Sequence, residues 1–151
     1  MSNTCFDTDT LKLRRLQAED FDRGFLELLG QLTTVGDISN EKFTSTFNSL
    51  PNTSHVYVFE DVGSNKVVAT ASLHIIQHFI RSCGQTGHIE DVVVSKDYRG
   101  GRLGLKLIKH LVALAKSLGA YKVMLDCKKE NVGFYEKCSM KDSGVQMTKY
   151  L

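Results

Sequence analysis

Apolar and polar positions along the chain alternate in some segments and recur at helical spacing in others, and together they lay out its elements. Leu11-Lys12-Leu13-Arg14-Arg15-Leu16 alternates and predicts a strand. Ala18-Glu19-Asp20 opens a predicted helix with Phe21, Phe25, Leu28 and Leu29 on one face, capped by Asp20 or a neighbour. Leu32-Thr33-Thr34-Val35-Gly36 reads as a loop, and residues 40–50 as a second short helix. Residues 54–60, around His55-Val56-Tyr57-Val58-Phe59, and residues 67–78 predict two strands; the turn-forming residues 61–66 between them make the pair a hairpin. Residues 87–95 predict another strand, whose Val92-Val93-Val94 run suits burial on both faces. Leu103, Leu107, Ile108, Leu111, Leu114, Ala115 and Leu118 keep the helical period, and Gly119 is placed to end that helix. A strand at 121–126, a short helix at 131–137 and a last strand at 145–149 complete the order. Such an order predicts an α/β or α+β sheet with helices on its faces.

Composition narrows the function classes. With 151 residues, 42% hydrophobic and 24% charged, the chain suits one globular domain. We expect residues 1–10 to be a flexible start and residues 11–151 a single domain. A net charge of +2 argues against a nucleic-acid binder or a membrane-surface protein. Residues 1–10 show no signal peptide, and no stretch approaches the ~20 apolar residues of a membrane span. Cys5, Cys83, Cys127 and Cys138 form no Cys-x-x-Cys pair and the five histidines are scattered, so we expect reduced thiols, no metal and a cytoplasmic location.

Tyr98-Arg99-Gly100-Gly101-Arg102-Leu103-Gly104 joins a buried strand to a helix. Its glycines let backbone N–H groups converge on an anion, and the helix adds free amides and the positive end of its dipole. Phosphate or pyrophosphate is the natural ligand, a turn and cap the plain alternative. The spacing fits neither a nucleotide-hydrolysing loop nor a dinucleotide fingerprint. Glu90 and Asp91 open the preceding strand, where a regular pleat would point them to opposite sides. Asp126 ends the neighbouring strand, where ligands bind in open sheets; a turn or cap role competes.

In this setting the sequence resembles the GNAT acetyltransferase superfamily. The frame Arg/Gln-x-x-Gly-x-Gly/Ala, which wraps the pyrophosphate of acetyl-CoA in that family, is filled by Arg99 to Gly104, with Arg102 departing at the middle glycine. Gly87-His88-Ile89-Glu90-Asp91-Val92-Val93-Val94, residues 119–127, residues 131–138 and Leu32-Thr33-Thr34-Val35-Gly36 are similar, in that family, to glucosamine 6-phosphate N-acetyltransferases. The similarity runs from Leu11 onward. It implies a mixed, mainly antiparallel sheet with helices on both faces and a parallel strand pair splayed at the acetyl-CoA site.

The resemblance also implies roles. Acetyl-CoA would be held by the backbone of Val92, Val93 and Val94, by Arg99, Gly100, Gly101, Arg102, Leu103 and Gly104, and by Asn131 and Tyr135. The amino sugar would meet Thr33, His78, Arg81, Glu90, Asp91, Tyr121, Lys122, Asp126 and Lys149, and Glu90, Asp126 and Tyr135 would carry the chemistry. Tyr135 would give its proton to the departing sulfur; a core tyrosine is the alternative. Lys149 stands where the family places a C-terminal arginine from the partner subunit, so a homodimer is implied. The product would be N-acetyl-D-glucosamine 6-phosphate, made by direct attack without an acetyl-cysteine, for UDP-N-acetylglucosamine synthesis. Acetylation of another amine or a protein lysine, or CoA binding without catalysis, are the competing readings.

Overall fold

Residues 8–151 are described in the structure, a computed structural model. The expected flexible start lies mostly outside them, as does Cys5; Thr8–Thr10 form a 3-10 turn. Among the described residues five strands, β1 (Leu11–Arg15), β2 (Ser54–Asp61), β3 (Lys66–Gln77), β4 (Gln85–Val94) and β5 (Ala120–Leu125), lie side by side in sequence order. All neighbours are antiparallel except β4 and β5. The sheet is therefore mixed and mainly antiparallel, as expected.

Helices cover both faces. On one lies α4 (Leu103–Ser117), which buries Leu103, Leu107, Ile108, Leu111 and Ala115 against Ala71, Leu73 and Ile89. Gly119 at φ 91° ends it, a conformation glycine adopts without strain. On the other face α1 (Phe25–Gly30) and α2 (Asn40–Asn48) bring Phe25, Leu28 and Phe43 against Val58, Val67 and Val93. Ser39 caps α2 by accepting the Lys42 N–H at 3.2 Å.

Three expectations are corrected. The helix predicted from residue 18 is broken: Ala18–Phe21 is a 3-10 turn, and Gly24 at φ 81° separates it from α1. Asp20 is no simple cap. It is fully buried, accepts the Gln17 N–H and takes both ends of the Arg14 guanidinium at 2.7 and 2.8 Å, while Arg14 Nε reaches Glu60 at 2.7 Å. The hydrogen bonds that Arg14 donates to Asp20 and Glu60 hold it charged well beyond its ordinary range, against the opposing effect of burial. The last strand, at 145–149, is not formed. Residues 140–151 carry no regular structure, and Val145, Met147 and Tyr150 are 89%, 89% and 94% exposed. A strand requires a neighbour for its N–H and C=O groups, and among the described residues none pairs with this segment.

Candidate active site

The site grows from an irregularity in β4. Thr70 pairs with Val93 but Ser72 with Glu90, so two residues of β4, Asp91 and Val92, oppose Ala71 alone. This is a β-bulge, and Asp91 sits in it at φ 52°. Before the bulge, Ile89 packs toward α4; after it, Val92 and Val94 do so, while Val93 packs toward α1 and α2. The valine run thus packs on both faces, as expected, but with its alternation reset by the bulge. The expected opposition of Glu90 and Asp91 presumes a regular pleat, which the bulge interrupts.

Pairing between β4 and β5 stops at Ile89–Leu125. Beyond it the strands part, and a cleft of about 820 Å³ opens along the end of β4. Val92, Val94, Arg99, Gly100, Arg102, Leu103, Gly104, Asn131 and Tyr135 line it, so nine of the expected acetyl-CoA residues come together. Gly101 and Val93 do not line it. Tyr98, at the head of the glycine loop, does, as do Leu105, Phe134 and Lys137, which were not expected to hold acetyl-CoA. Phe134 follows Asn131 by three residues, so the helical period leading into α5 (Val132–Glu136) would have placed it on the same side.

The loop before α4 is built for close approach. Gly100 has φ 94°, and Arg102, at the head of α4, has φ 59°. That left-handed position is where the family frame carries glycine; an arginine there accepts a cost of about 1–2 kcal/mol. Gly104 is closely approached: a Cβ there would come 3.0 Å from the Phe134 ring, which would have to give way. Tyr98 anchors the loop by donating to Asp61 Oδ2 at 2.6 Å; this bond is the main reason the Asp61 carboxyl titrates below its usual range. Arg99 folds back so that its Nε donates to the Val94 carbonyl at 3.4 Å.

Where the strands part stand Glu90 and Asp126, one residue beyond the last rung on each strand, with His88 between them. Tyr135 lies on α5, largely withdrawn from water. Burial, helped by the neighbouring Cys127 and Cys138, pushes its hydroxyl above the ordinary tyrosine value, so it is a proton donor at neutral pH.

A basic group gathers at the far end of β4. His78 Nε2 lies 2.8 Å from Thr86 Oγ1, and Thr86 pairs with Lys122 on β5. Tyr121 has Arg81 on its ring at 5.7 Å and Lys122 at 5.8 Å. Arg81 sits in α3 (Ile80–Cys83), a single turn in which Arg81, Ser82 and Cys83 are all left-handed, at φ 55–58°. Such a run is costly without glycine. Gln77 braces it, its Nε2 donating to Cys83 O at 2.7 Å. Thr33, on the loop after α1, and Lys149, in the exposed tail, stand outside both groups.

Residues 13–140 match the acetyltransferase (GNAT) family. The chain is 46% identical over 145 residues to the glucosamine 6-phosphate N-acetyltransferase of Arabidopsis thaliana, covering 94% of this chain and 97% of that one. It is 48% identical over 137 residues to the enzyme of the same name from Candida albicans, covering 89% and 91%. The crystal structure of the Arabidopsis protein superposes with a TM-score of 0.91 at 45% identity over 93% of this chain and 98% of that one. A Trypanosoma brucei acetyltransferase superposes at 0.88 with 37% identity, over 93% and 99%. A splayed parallel pair, a glycine loop heading α4 and agreement over nearly the whole length place the chain in the GNAT acetyltransferase family, among the glucosamine 6-phosphate N-acetyltransferases.

Proposed function

We propose that the chain transfers the acetyl group of acetyl-CoA to the amine of D-glucosamine 6-phosphate, giving N-acetyl-D-glucosamine 6-phosphate and CoA. One observation carries the reading: β4 and β5 part between a pair of carboxylates and a cleft lined by a partly buried tyrosine that keeps its proton at neutral pH. Backbone amides at Gly100 to Gly104 and the free N–H groups of the first turn of α4 hold the pyrophosphate. The β4 backbone after the bulge hydrogen-bonds the pantetheine arm as an added strand would, Asn131 holds it from α5, and an amide of the Val92–Val94 segment polarises the thioester carbonyl.

At the acceptor end Glu90 and Asp126 receive the ammonium and draw off a proton, since only the neutral amine attacks. Asp91, at the bulge, holds the backbone turn beside them. As the C–S bond breaks, Tyr135 protonates the sulfur. Arg81 and Lys122, on the Tyr121 ring, and His78, beside Thr86, take the sugar phosphate, and Thr33 and Lys149 close on the sugar from the loop and the tail. Release of free CoA thiol, followed over a panel of amines, checks this. Glucosamine 6-phosphate should exceed glucosamine by about 10–100-fold in kcat/KM, since each charge-assisted contact to the phosphate contributes about 1.5–3 kcal/mol before solvent screening. Spermidine should be inert. Equal rates with and without the phosphate would remove the basic group's role.

We further propose a homodimer in which the tail of one copy reaches the acceptor site of the other. Val145 and Met147 alternate with polar residues along the bare tail, and Phe79 and Ile80 of the α3 turn are 95% and 66% exposed. Large apolar side chains left this exposed are candidates for an interaction surface. Sedimentation of the purified chain should give twice the monomer mass, and truncation after Met140 should return it to a monomer with little activity. A fully active monomer would refute the arrangement.

A further inference from the structure

The imidazole of His88 lies between the two carboxylates of the acceptor site. Its Nδ1 is 3.4 Å from Glu90 Oε1 and its Nε2 is 3.3 Å from Asp126 Oδ2. The acids come from two strands that have stopped pairing, so no rung of the ladder sets the distance between them. Both side chains are nearly half exposed, at 48% and 45%. Left alone, two carboxylates on parting strands repel each other and keep their rotamer freedom.

His88 has neither freedom. Its backbone is paired on both sides, to His74 of β3 and to Met124 of β5, and its side chain is 24% exposed. Two residues before Glu90 on an extended strand, it faces the same side. The ring meets each acid with a different nitrogen, on opposite edges. Each carboxylate gives the ring one oxygen and keeps the other, Oε2 of Glu90 and Oδ1 of Asp126, for a substrate.

We propose that His88 is a positioning residue for the acceptor amine: its imidazole is the spacer that sets the separation and direction of Glu90 and Asp126. This rests on the acetyl-transfer reading above. The ring acts through the acids and needs no contact with either substrate. Its removal should therefore be felt by the amine and not by acetyl-CoA, although β4 serves both.

The test is steady-state kinetics with each substrate varied in turn, on the full-length chain. His88→Ala should lower kcat/KM for glucosamine 6-phosphate about 10–30-fold, within the range that a misplaced reacting group costs. KM for acetyl-CoA and Tm should stay near wild type. His88→Gln, which keeps bulk and one donor in the gap, should recover part of the loss; if His88→Ala does not fold, His88→Gln must show the same sugar-specific loss in milder form. In a Glu90→Gln background the further loss from His88→Ala should shrink to about threefold or less, because a spacer with one acid neutralised has little left to position. An undiminished loss there, or a loss shared with acetyl-CoA KM and Tm, would mean that His88 merely supports the strand. Unchanged kinetics in His88→Ala would also overturn the proposal while leaving acetyl transfer standing. A wild-type chain inert toward the sugar would overturn both.

Discussion

Tyr135→Phe is expected to lower kcat for acetyl transfer by about 10²–10⁴-fold, the range typical of losing a general acid. The substitution removes one oxygen and leaves the ring. That ring packs edge-on against Phe134 with centroids 5.0 Å apart and rests against the core at the cleft wall, so folding and KM for acetyl-CoA should change little. What is lost is the proton for the sulfur. As the proposed acid Tyr135 would act in its protonated form, and burial raises its titration above the ordinary tyrosine value. The sign follows: activity dependent on this proton persists as pH rises and falls only as the hydroxyl ionises, above the ordinary tyrosine range. Thiol release measured from pH 6 to 10 checks both parts. A Phe variant with wild-type kcat would return Tyr135 to the core.

Asp20→Ala is expected to have the largest effect on stability. Asp20 is fully buried, and Arg14, 11% exposed, spends two of its three nitrogens on it. Removing one partner of a buried pair leaves the other charge uncompensated, at a cost of about 3–5 kcal/mol. Glu60 stays on Arg14 at 2.7 Å, which sets the expectation at the lower end, about 3 kcal/mol. For a domain of this size that is a fall in Tm of roughly 6–12 °C. The Gln17 N–H loses its acceptor as well, loosening the turn that leads into α1. Asp20→Asn, which keeps the acceptor for Gln17 and loses the charge, should fall between. Urea unfolding of the three proteins separates the contributions, and a shift under 1 kcal/mol for Asp20→Ala would refute the reading.

Periodic segments were legible. The α4 stripe from Leu103 to Leu118, the β2–β3 hairpin and the loop at Arg99 to Gly104 all lie where the spacing of apolar residues and glycines puts them, because these features are local. Arg14, Asp20 and Glu60 meet across 46 residues, and no local pattern announces that. Gly24 breaks a helix whose apolar period runs on unchanged, so the period alone overruns the break. The bulge at Asp91 left only one hint, that aspartate tolerates the left-handed region better than most residues. His88 was legible in principle, as its spacing of two from Glu90 puts both on one face of a strand. The strand foreseen at 145–149 failed for a different reason: alternation marks a segment ready to pair, and pairing needs a neighbour.

The bulge at Asp91 bears on what this chain can tolerate. It reverses the parity of β4, so that even-numbered residues face the acceptor side before it and the donor cleft after it. Substitution and deletion should therefore part company here. Asn or Gly at this position keeps the extra residue and with it the reversal. Loss of a single residue would turn Val92 and Val94 away from the cleft while leaving composition almost untouched. In β4, length is the constrained quantity, and variation among related chains should appear there as exchanges and not as gaps.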